Sequence, residues 1–445
     1  MRIAVAGTGY VGLVAGVCFA EKGHDVICVD VEPDKVALLK SGVSPIYEDG
    51  LEPLMRKNRE AGRIEYTTDY KTAYASADAV FIGVATPPRL DGSADLGYIF
   101  TAAKQIAESV ERECLVVIKS TVPVGTNDKI EQLIGECKRP GVHVEVASNP
   151  EFLAQGTAVR DTLEASRVVI GTESEWAKAR LLEIYEPFAL PIISVSRRSA
   201  EMIKYACNNF LALKISYMND IANLCEAVGA DVQDVARAMS YDKRIGSSFL
   251  NAGIGYGGSC FPKDTRALKF IAEQAGYRLE TVEAAVRVND SQKLRLFKKA
   301  TARLGSLEGL SAAVLGLTFK PGTDDLREAP SVENIRLLLE RGVTIRAYDP
   351  VGMDNFRRLF PEAAPDGEES GEIRCFDTPE AALSGADMCF IFTEWQEIRS
   401  VEPCAYKKLM KTPLVFDGRN IYDVDLMRLA GVEYHGIGKP RQAGE

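Results

Sequence analysis

The chain has 445 residues, enough for about three domains of ordinary size. Its 46% hydrophobic and 26% charged residues are those of a globular protein that can build a large core without a staple. A formal net charge of −10 argues against a nucleic-acid partner, which needs a basic face. It leaves room for a phosphate-bearing small molecule held at a helix N-terminus or by local Lys and Arg.

The first residues, Met1-Arg2-Ile3-Ala4-Val5-Ala6-Gly7, read as a strand entering a glycine turn rather than as a signal peptide. No uncharged apolar run approaches the roughly 18 residues of a membrane span. The 10 cysteines include no CxxC pair, so reduced thiols and a cytoplasmic location are expected. His24, His143 and His435 stand apart from one another and from any Cys or acidic cluster, so no metal site is expected.

Residues 2–6 form a short apolar run, 10–22 have helical spacing, and 25–29 are again apolar and β-branched, ending at Asp30. Short buried-type runs recur at 79–84, 115–119 and 142–147. Strands alternating with helices predict a parallel, doubly wound sheet. Between Ser194 and Gly229 the pattern changes to one long helix of about eight turns, with Ser199 as its cap, Glu201 in its first turn and Gly229 at its end. Such a length suits a domain connector or a subunit interface. Further helices are predicted over 232–239, 262–276 and 279–304.

From Ser311 the alternation returns, with strands at 312–316 and 343–347, a helix at 331–341, and Asp349 near the end of the second strand. Ala77-Asp78-Ala79-Val80-Phe81-Ile82 is echoed by Ala386-Asp387-Met388-Cys389-Phe390-Ile391, and Val29-Asp30 by Tyr348-Asp349. The expected fold is therefore α/β. Two Rossmann-like, doubly wound domains (1–196 and 306–445) are joined by a helical central domain (197–305) containing the long helix.

Gly7-Thr8-Gly9-Tyr10-Val11-Gly12 fits G-x-G-x-x-G. The pattern alone is weak, but here it follows a strand, opens a helix and precedes Asp30 at the end of the next strand, which is the context a dinucleotide site requires. Gly7 allows the tight turn, Gly9 lets the backbone approach a pyrophosphate, and Gly12 lets helix and strand pack. Asp30 would accept ribose hydroxyls and repel a 2′-phosphate, favouring NAD over NADP; Val31 offers no cation, although Lys35 is near in sequence.

Gly255-Tyr256-Gly257-Gly258-Ser259-Cys260-Phe261-Pro262-Lys263-Asp264 places a cysteine after three glycines and just before a helix start marked by Pro262. The glycines are expected to admit a substrate to the backbone. The helix N-terminus and Lys263 favour thiolate over thiol. Asp264 falls one turn on. A thiolate beside a nicotinamide site has a specific use: it traps an aldehyde as a thiohemiacetal, whose further oxidation gives a thioester that water hydrolyses.

Lys204 and Asn208 stand four apart on the long helix. Spacing alone gives a Lys and an Asn no role beyond a solvated face. Ser120-Thr121-Val122-Pro123 and Asn149-Pro150-Glu151-Phe152-Leu153 follow strand ends, where such sheets bind ligands; each also reads as an ordinary turn. Glu151 suits a general base or a helix first-turn acid.

Taken together, these segments resemble the UDP-glucose/GDP-mannose dehydrogenase family, and within it the UDP-glucose 6-dehydrogenases. The likeness runs from the glycine fingerprint through the Thr121, Glu151, Lys204 and Cys260 segments to Gly316-Leu317-Thr318-Phe319-Lys320-Pro321-Gly322-Thr323-Asp324-Asp325-Leu326-Arg327-Glu328 and Asp417-Gly418-Arg419.

The resemblance implies four-electron oxidation of UDP-glucose to UDP-glucuronate with two NADH formed, which feeds polysaccharide biosynthesis, in a homodimer that engages neither nucleic acid nor membrane. It makes Cys260 the nucleophile, gives oxyanion stabilisation to Lys204 and Asn208, water positioning to Asp264 and Thr121, and acid–base steps to Glu151. NAD contacts are implied at Gly7, Gly9, Tyr10, Val11, Gly12, Asp30, Lys35, Thr86, Thr121, Gln155, Lys263 and Arg327; Gln155 stands where some relatives carry Glu. Substrate contacts are implied at Glu151, Phe152, Leu153, Lys204, Asn208, Phe249, Leu250, Asn251, Gly253, Tyr256, Gly257, Phe319, Lys320 and Arg419, with Arg244 reaching a partner's site. GDP-mannose or a UDP-N-acetylhexosamine is the alternative substrate. In the second Rossmann-like unit, Phe319 and Lys320 replace the glycine fingerprint, so a pyrophosphate could not lie there as in the first.

Overall fold

The computed structural model describes residues 1–363 and 372–440. It divides into two compact units: Met1–Cys207 with Arg266–Tyr277, and Asn208–Thr265 with Arg278–Glu445.

The first unit holds eight strands: β1 (Arg2–Ala6), β2 (Asp25–Val29), β3 (Ile64–Thr67), β4 (Ala79–Ile82), β5 (Cys114–Ile118), β6 (Val144–Ser148), β7 (Val168–Gly171) and β8 (Ile192–Val195). Their order is β3-β2-β1-β4-β5-β6-β7-β8. All neighbours are parallel except β6 and β7, which meet at one antiparallel pair, Ser148 with Gly171. The apolar runs are continuous because helices cover both faces of a parallel sheet. Alternate residues feed opposite cores: Ile3 and Val5 enter one cluster, Ala4 and Ala6 the other.

The second unit carries β9 (Ser311–Leu315), β10 (Thr344–Tyr348), β11 (Ile373–Cys375), β12 (Met388–Ile391), β13 (Leu414–Asp417) and β14 (Glu433–His435). Their order is β11-β10-β9-β12-β13-β14, all parallel. The first six strands of the first unit follow the same order, that of a dinucleotide-binding sheet whose ligand crevice opens where the order reverses. The sequence echo is structural. β4 pairs with β1 in register Ile3–Ala79, and β12 pairs with β9 in register Ala312–Met388. Asp30 and Asp349 each follow the second strand of their sheet.

The long helix runs Arg197–Val228. Its cap is Ser196 rather than the expected Ser199: the Ser196 hydroxyl accepts the Ser199 N–H (3.2 Å), and the Ser196 carbonyl accepts that of Ala200 (2.9 Å). Glu201 is freed for another task. Its carboxylate receives the N–H groups of Gly125 (2.6 Å) and Asn127 (2.8 Å) at the start of the helix Thr126–Cys137. Gly229 ends the long helix at φ 78°, and the Ala230 N–H returns to the Cys225 carbonyl (3.0 Å).

The single helix expected over 279–304 is two, Glu280–Lys293 and Arg295–Leu304. The Lys293 carbonyl accepts from the buried amide of Asn334 (2.7 Å), which marks the break.

Candidate active site

Four backbone features shape the dinucleotide turn of the first unit. Gly7 has φ 92°, a conformation side chains rarely adopt. A methyl group on Gly12 would collide with the Gly7 carbonyl oxygen. On Gly9 it would meet no atom within 4 Å, so the space above that residue is open to a ligand. Gly9 starts the helix Tyr10–Glu21 with no side-chain cap, leaving N-terminal donors for an anion. Tyr10 is tied by its hydroxyl to the Tyr47 carbonyl (2.8 Å).

Asp30 is 7% exposed. Its Oδ2 accepts from the Thr8 N–H (2.9 Å) and hydroxyl (2.5 Å) and lies 3.1 Å from Lys35 Nζ; its Oδ1 accepts from the Glu32 N–H (3.2 Å). Burial works to raise its pKa, but the Thr8 hydrogen bonds and the Lys35 charge outweigh it and hold the carboxyl below its usual range. Lys35 is thus engaged by the carboxylate that the sequence offers for the ribose. These residues fit an adenine dinucleotide without a 2′-phosphate.

At the β4 and β5 ends, the Thr86 hydroxyl donates to the Thr121 carbonyl (3.0 Å). Past β6, Glu151 and Lys204 form an ion pair at 2.7 Å, with both residues buried. Glu151 also accepts from the Leu153 N–H (2.7 Å), and Lys204 Nζ lies 5.6 Å from the centre of the Phe152 ring. The solvated-face alternative for Lys204 and Asn208 fails, since they are 2% and 7% exposed. Gln155 is buried in the same loop, and the buried Glu48 carboxylate accepts from the N–H groups of Gly156 and Ala158 (2.7 Å each). Glu48 was missed because it lies 108 and 110 residues away from the groups it ties.

In the second unit, Cys260 precedes the helix Phe261–Gln274 and its carbonyl accepts the Asp264 N–H (2.8 Å). It is therefore the residue at the helix mouth, where the partial positive charge favours a thiolate. Cys260 is half-buried. Cys18, Cys28 and Cys114 are buried instead, and burial pushes each of those thiols up to about 12. Asp264 is 1% exposed and takes the Asn208 amide (2.6 Å) and Lys263 Nζ (2.7 Å).

The glycines before Cys260 also have a packing reason. A methyl group on Gly258 would strike the Phe319 ring at 2.7 Å, and Gly257 is pressed by the Glu328 carbonyl. On the side where a Cβ would point, both glycines admit protein atoms. The Gly258 N–H donates to the Arg327 carbonyl (2.8 Å), closing the loop.

Residues 250–256 are held by buried amides. Asn219 accepts the Gly253 N–H (2.8 Å), Gln292 donates to the Gly253 carbonyl (2.7 Å), and Asn289 exchanges two hydrogen bonds with Tyr256 (2.8 and 3.1 Å). None of the three amides was foreseen; their only sequence signal is a polar residue on an otherwise core-facing helix stripe. Leu250, Asn251, Gly253 and Arg419 line a cavity of about 500 Å³ together with Gln233, Arg237, Arg399 and Asn420. Phe249 (φ 64°) and Asn420 (φ 53°) hold the left-handed conformation disfavoured for side chains, a strain that concentrates at ligand sites.

Arg419 donates to the Phe392 (2.7 Å) and Phe319 (2.8 Å) carbonyls. Lys320 Nζ stands 5.8 Å from the Phe319 ring centre. Arg327 is bound to Asp325 through two contacts (2.8 and 2.6 Å), and the exposed Arg244 is paired with Asp242. Among the described residues no group of three His, Cys, Asp or Glu side chains could hold a metal, and no helix is long and apolar enough to cross a membrane.

A glycine turn with an open helix mouth, a buried aspartate beside it and a thiol at a second helix mouth point to an oxidoreductase built on doubled dinucleotide-type sheets. The chain belongs to the UDP-glucose/GDP-mannose dehydrogenase family: residues 1–189 match its NAD binding domain, 198–291 its central domain and 313–424 its UDP binding domain. It is 49% identical to the UDP-glucose 6-dehydrogenase YwqF of Bacillus subtilis, over 99% of this chain and 98% of that one. It is 47% identical to the UDP-glucose 6-dehydrogenase of Rhizobium meliloti, over 99% and 100%. A solved UDP-glucose dehydrogenase from Pyrobaculum islandicum superimposes with a TM-score of 0.90 at 39% identity, covering 98% of this chain and 97% of that one.

Proposed function

We propose that this protein oxidises UDP-glucose to UDP-glucuronate in two successive two-electron steps, with Cys260 holding the sugar covalently between them. NAD supplies the electron acceptor for each step when bound. Cys260 Sγ forms a bond to the C6 aldehyde carbon produced by the first oxidation, and the carbonyl oxygen becomes the hydroxyl of a thiohemiacetal. Loss of a hydride from C6 and of a proton from the hydroxyl then leaves a thioester. Water then attacks its carbonyl, the C–S bond breaks, and the thiol is restored as the uronate departs.

The buried Lys204 ammonium and Asn208 amide serve as donors to the oxyanion. Asp264 and Thr121 orient water, and Glu151, in contact with Lys204, moves the proton. Asp30 accepts the ribose hydroxyls, with Lys35, Thr86, Gln155, Lys263 and Arg327 completing the cofactor contacts. Segment 249–257, Phe319, Lys320 and Arg419 receive the UDP moiety beside the cavity. The working division is residues 1–196 for NAD, 197–305 for the thiol and subunit pairing, and 306–445 for UDP.

The observation that carries this reading is the half-buried thiol at a helix mouth, one turn from an Asp264 already tied to Asn208. The similar chains named UDP-glucose 6-dehydrogenase support the substrate. A second copy of the chain completes the assembly. Phe210, Tyr217 and Leu224, at seven-residue intervals on the long helix, are 62%, 53% and 56% exposed, an apolar stripe suited to pairing. Arg244 then serves the partner's site, in a cytoplasmic homodimer.

NADH yield from a limiting amount of each nucleotide sugar tests the reaction. Two NADH per UDP-glucose are expected; one NADH, or turnover only with GDP-mannose or a UDP-N-acetylhexosamine, would overturn it.

A further inference from the structure

The mechanism leaves two buried lysines unused: Lys293, which is paired with Glu328 (2.9 Å), and Lys119. Lys119 follows β5 and is 7% exposed. Its Nζ donates to Asn149 Oδ1 (3.0 Å) and lies 3.4 Å from the Tyr185 hydroxyl. Both are neutral. Burial pushes this lysine down to about 8, with Glu151 and Cys18 favouring its charge and Lys204 opposing it. Asn149 needs no cation for its own satisfaction, because the Tyr185 hydroxyl already donates to Oδ1 (2.5 Å) and the Asn149 amide donates to the Val169 carbonyl (2.8 Å). An ammonium is a costly donor in such a place, where a neutral one would satisfy the network.

The costly charge has a neighbour that repays it. Asn149 precedes Pro150 and Glu151, and proline fixes one backbone angle of that short link. Movement of Asn149 is therefore transmitted to the Glu151 carboxylate, which meets Lys204 at 2.7 Å.

We propose that Lys119 is a positioning residue: it grips Asn149 from beneath and, through the Asn149-Pro150-Glu151 link, sets the Glu151 carboxylate against Lys204. The inference rests on the reading that Glu151 and Lys204 take part in the chemistry. Lys119 itself touches neither substrate nor cofactor.

A double-mutant cycle with K119M and E151Q tests it, with kcat and both KM values measured for the four proteins and folding checked by circular dichroism. K119M is expected to lower kcat about 10- to 100-fold while changing each KM less than about threefold, and to cost little more once E151Q is present, since residues acting as one unit are not additive. Should K119M not fold, K119Q carries the same cycle. Additive losses, or a loss confined to KM, would overturn the positioning role. A full-rate E151Q enzyme would instead overturn the catalytic reading of Glu151, so the two failures are distinct.

Discussion

The two sheets share a strand order and end their second strands in an aspartate, yet only one is built to receive a dinucleotide. In the first unit, Asp30 Oδ1 holds one protein hydrogen bond and the space above Gly9 is open. In the second, every acceptor site of Asp349 is spent on protein. Its Oδ2 receives the N–H groups of Leu317 (2.7 Å) and Thr318 (3.1 Å), the Thr318 hydroxyl (3.2 Å) and the Trp395 indole (3.1 Å). Its Oδ1 receives those of Val351 (3.0 Å) and Gly352 (2.7 Å). A carboxylate offers about four lone-pair sites, so none remains for a ribose. The helix that opens at Tyr10 in the first unit also has no counterpart right after Phe319; the next helix starts at Pro330. One fold thus carries a carboxylate with acceptor room to spare, the proposed ribose anchor, and a structural one, and the difference is made by what the following loop donates.

The sharpest way to break this contrast is to remove each carboxylate. Asp349→Ala strands five donors, with Trp395 Nε1 keeping the Thr318 hydroxyl (3.1 Å), and should cost about 3–5 kcal/mol, read by chemical denaturation, with KM for NAD unchanged. A rise in that KM without loss of stability would reverse the assignment. Asp30→Ala should do the opposite. KM for NAD rises about 10- to 100-fold, equivalent to roughly 1.4–2.8 kcal/mol, with a smaller change in stability.

The smallest effect concerns pH. Asp30 titrates below its usual range, so the stability it contributes is present above the unfolded value near about 3.9 and is lost as pH falls through the lower folded value. Asp417 of the second unit is driven the other way, chiefly by burial, despite hydrogen bonds from Tyr434 and three backbone N–H groups. Its contribution is greatest below about 3.9 and is lost as pH rises through its higher folded value. Stability curves should flatten on the acid side for Asp30→Asn and above about 4 for Asp417→Asn.

What the sequence made legible was local or periodic. The glycine fingerprint, the β-branched runs and the paired Ala-Asp echoes each report on a few adjacent residues, and they led to both sheets. The long helix was found, but its cap was placed three residues late because Ser196 and Ser199 satisfy the same local pattern.

What stayed hidden depends on distant partners. Gly257 and Gly258 are also required by packing, because the Glu328 carbonyl and the Phe319 ring stand where a Cβ would point, and those partners are about 60 to 70 residues away in sequence. Glu201 passed as a first-turn acid, although its partners are at Gly125 and Asn127. Lys119 read only as the end of a strand. Burial of a cation is a property of the packed sheet, and no local pattern announces it.

The proposed reaction turns on the bond between Cys260 and the sugar. Acid quenching of the enzyme during turnover with UDP-glucose and NAD, followed by peptide mass mapping, tests it directly. A UDP-hexuronyl adduct on the Cys260 peptide is predicted, absent from Cys260→Ser. An adduct on another cysteine, or sustained release of two NADH per sugar by Cys260→Ser, would contradict it.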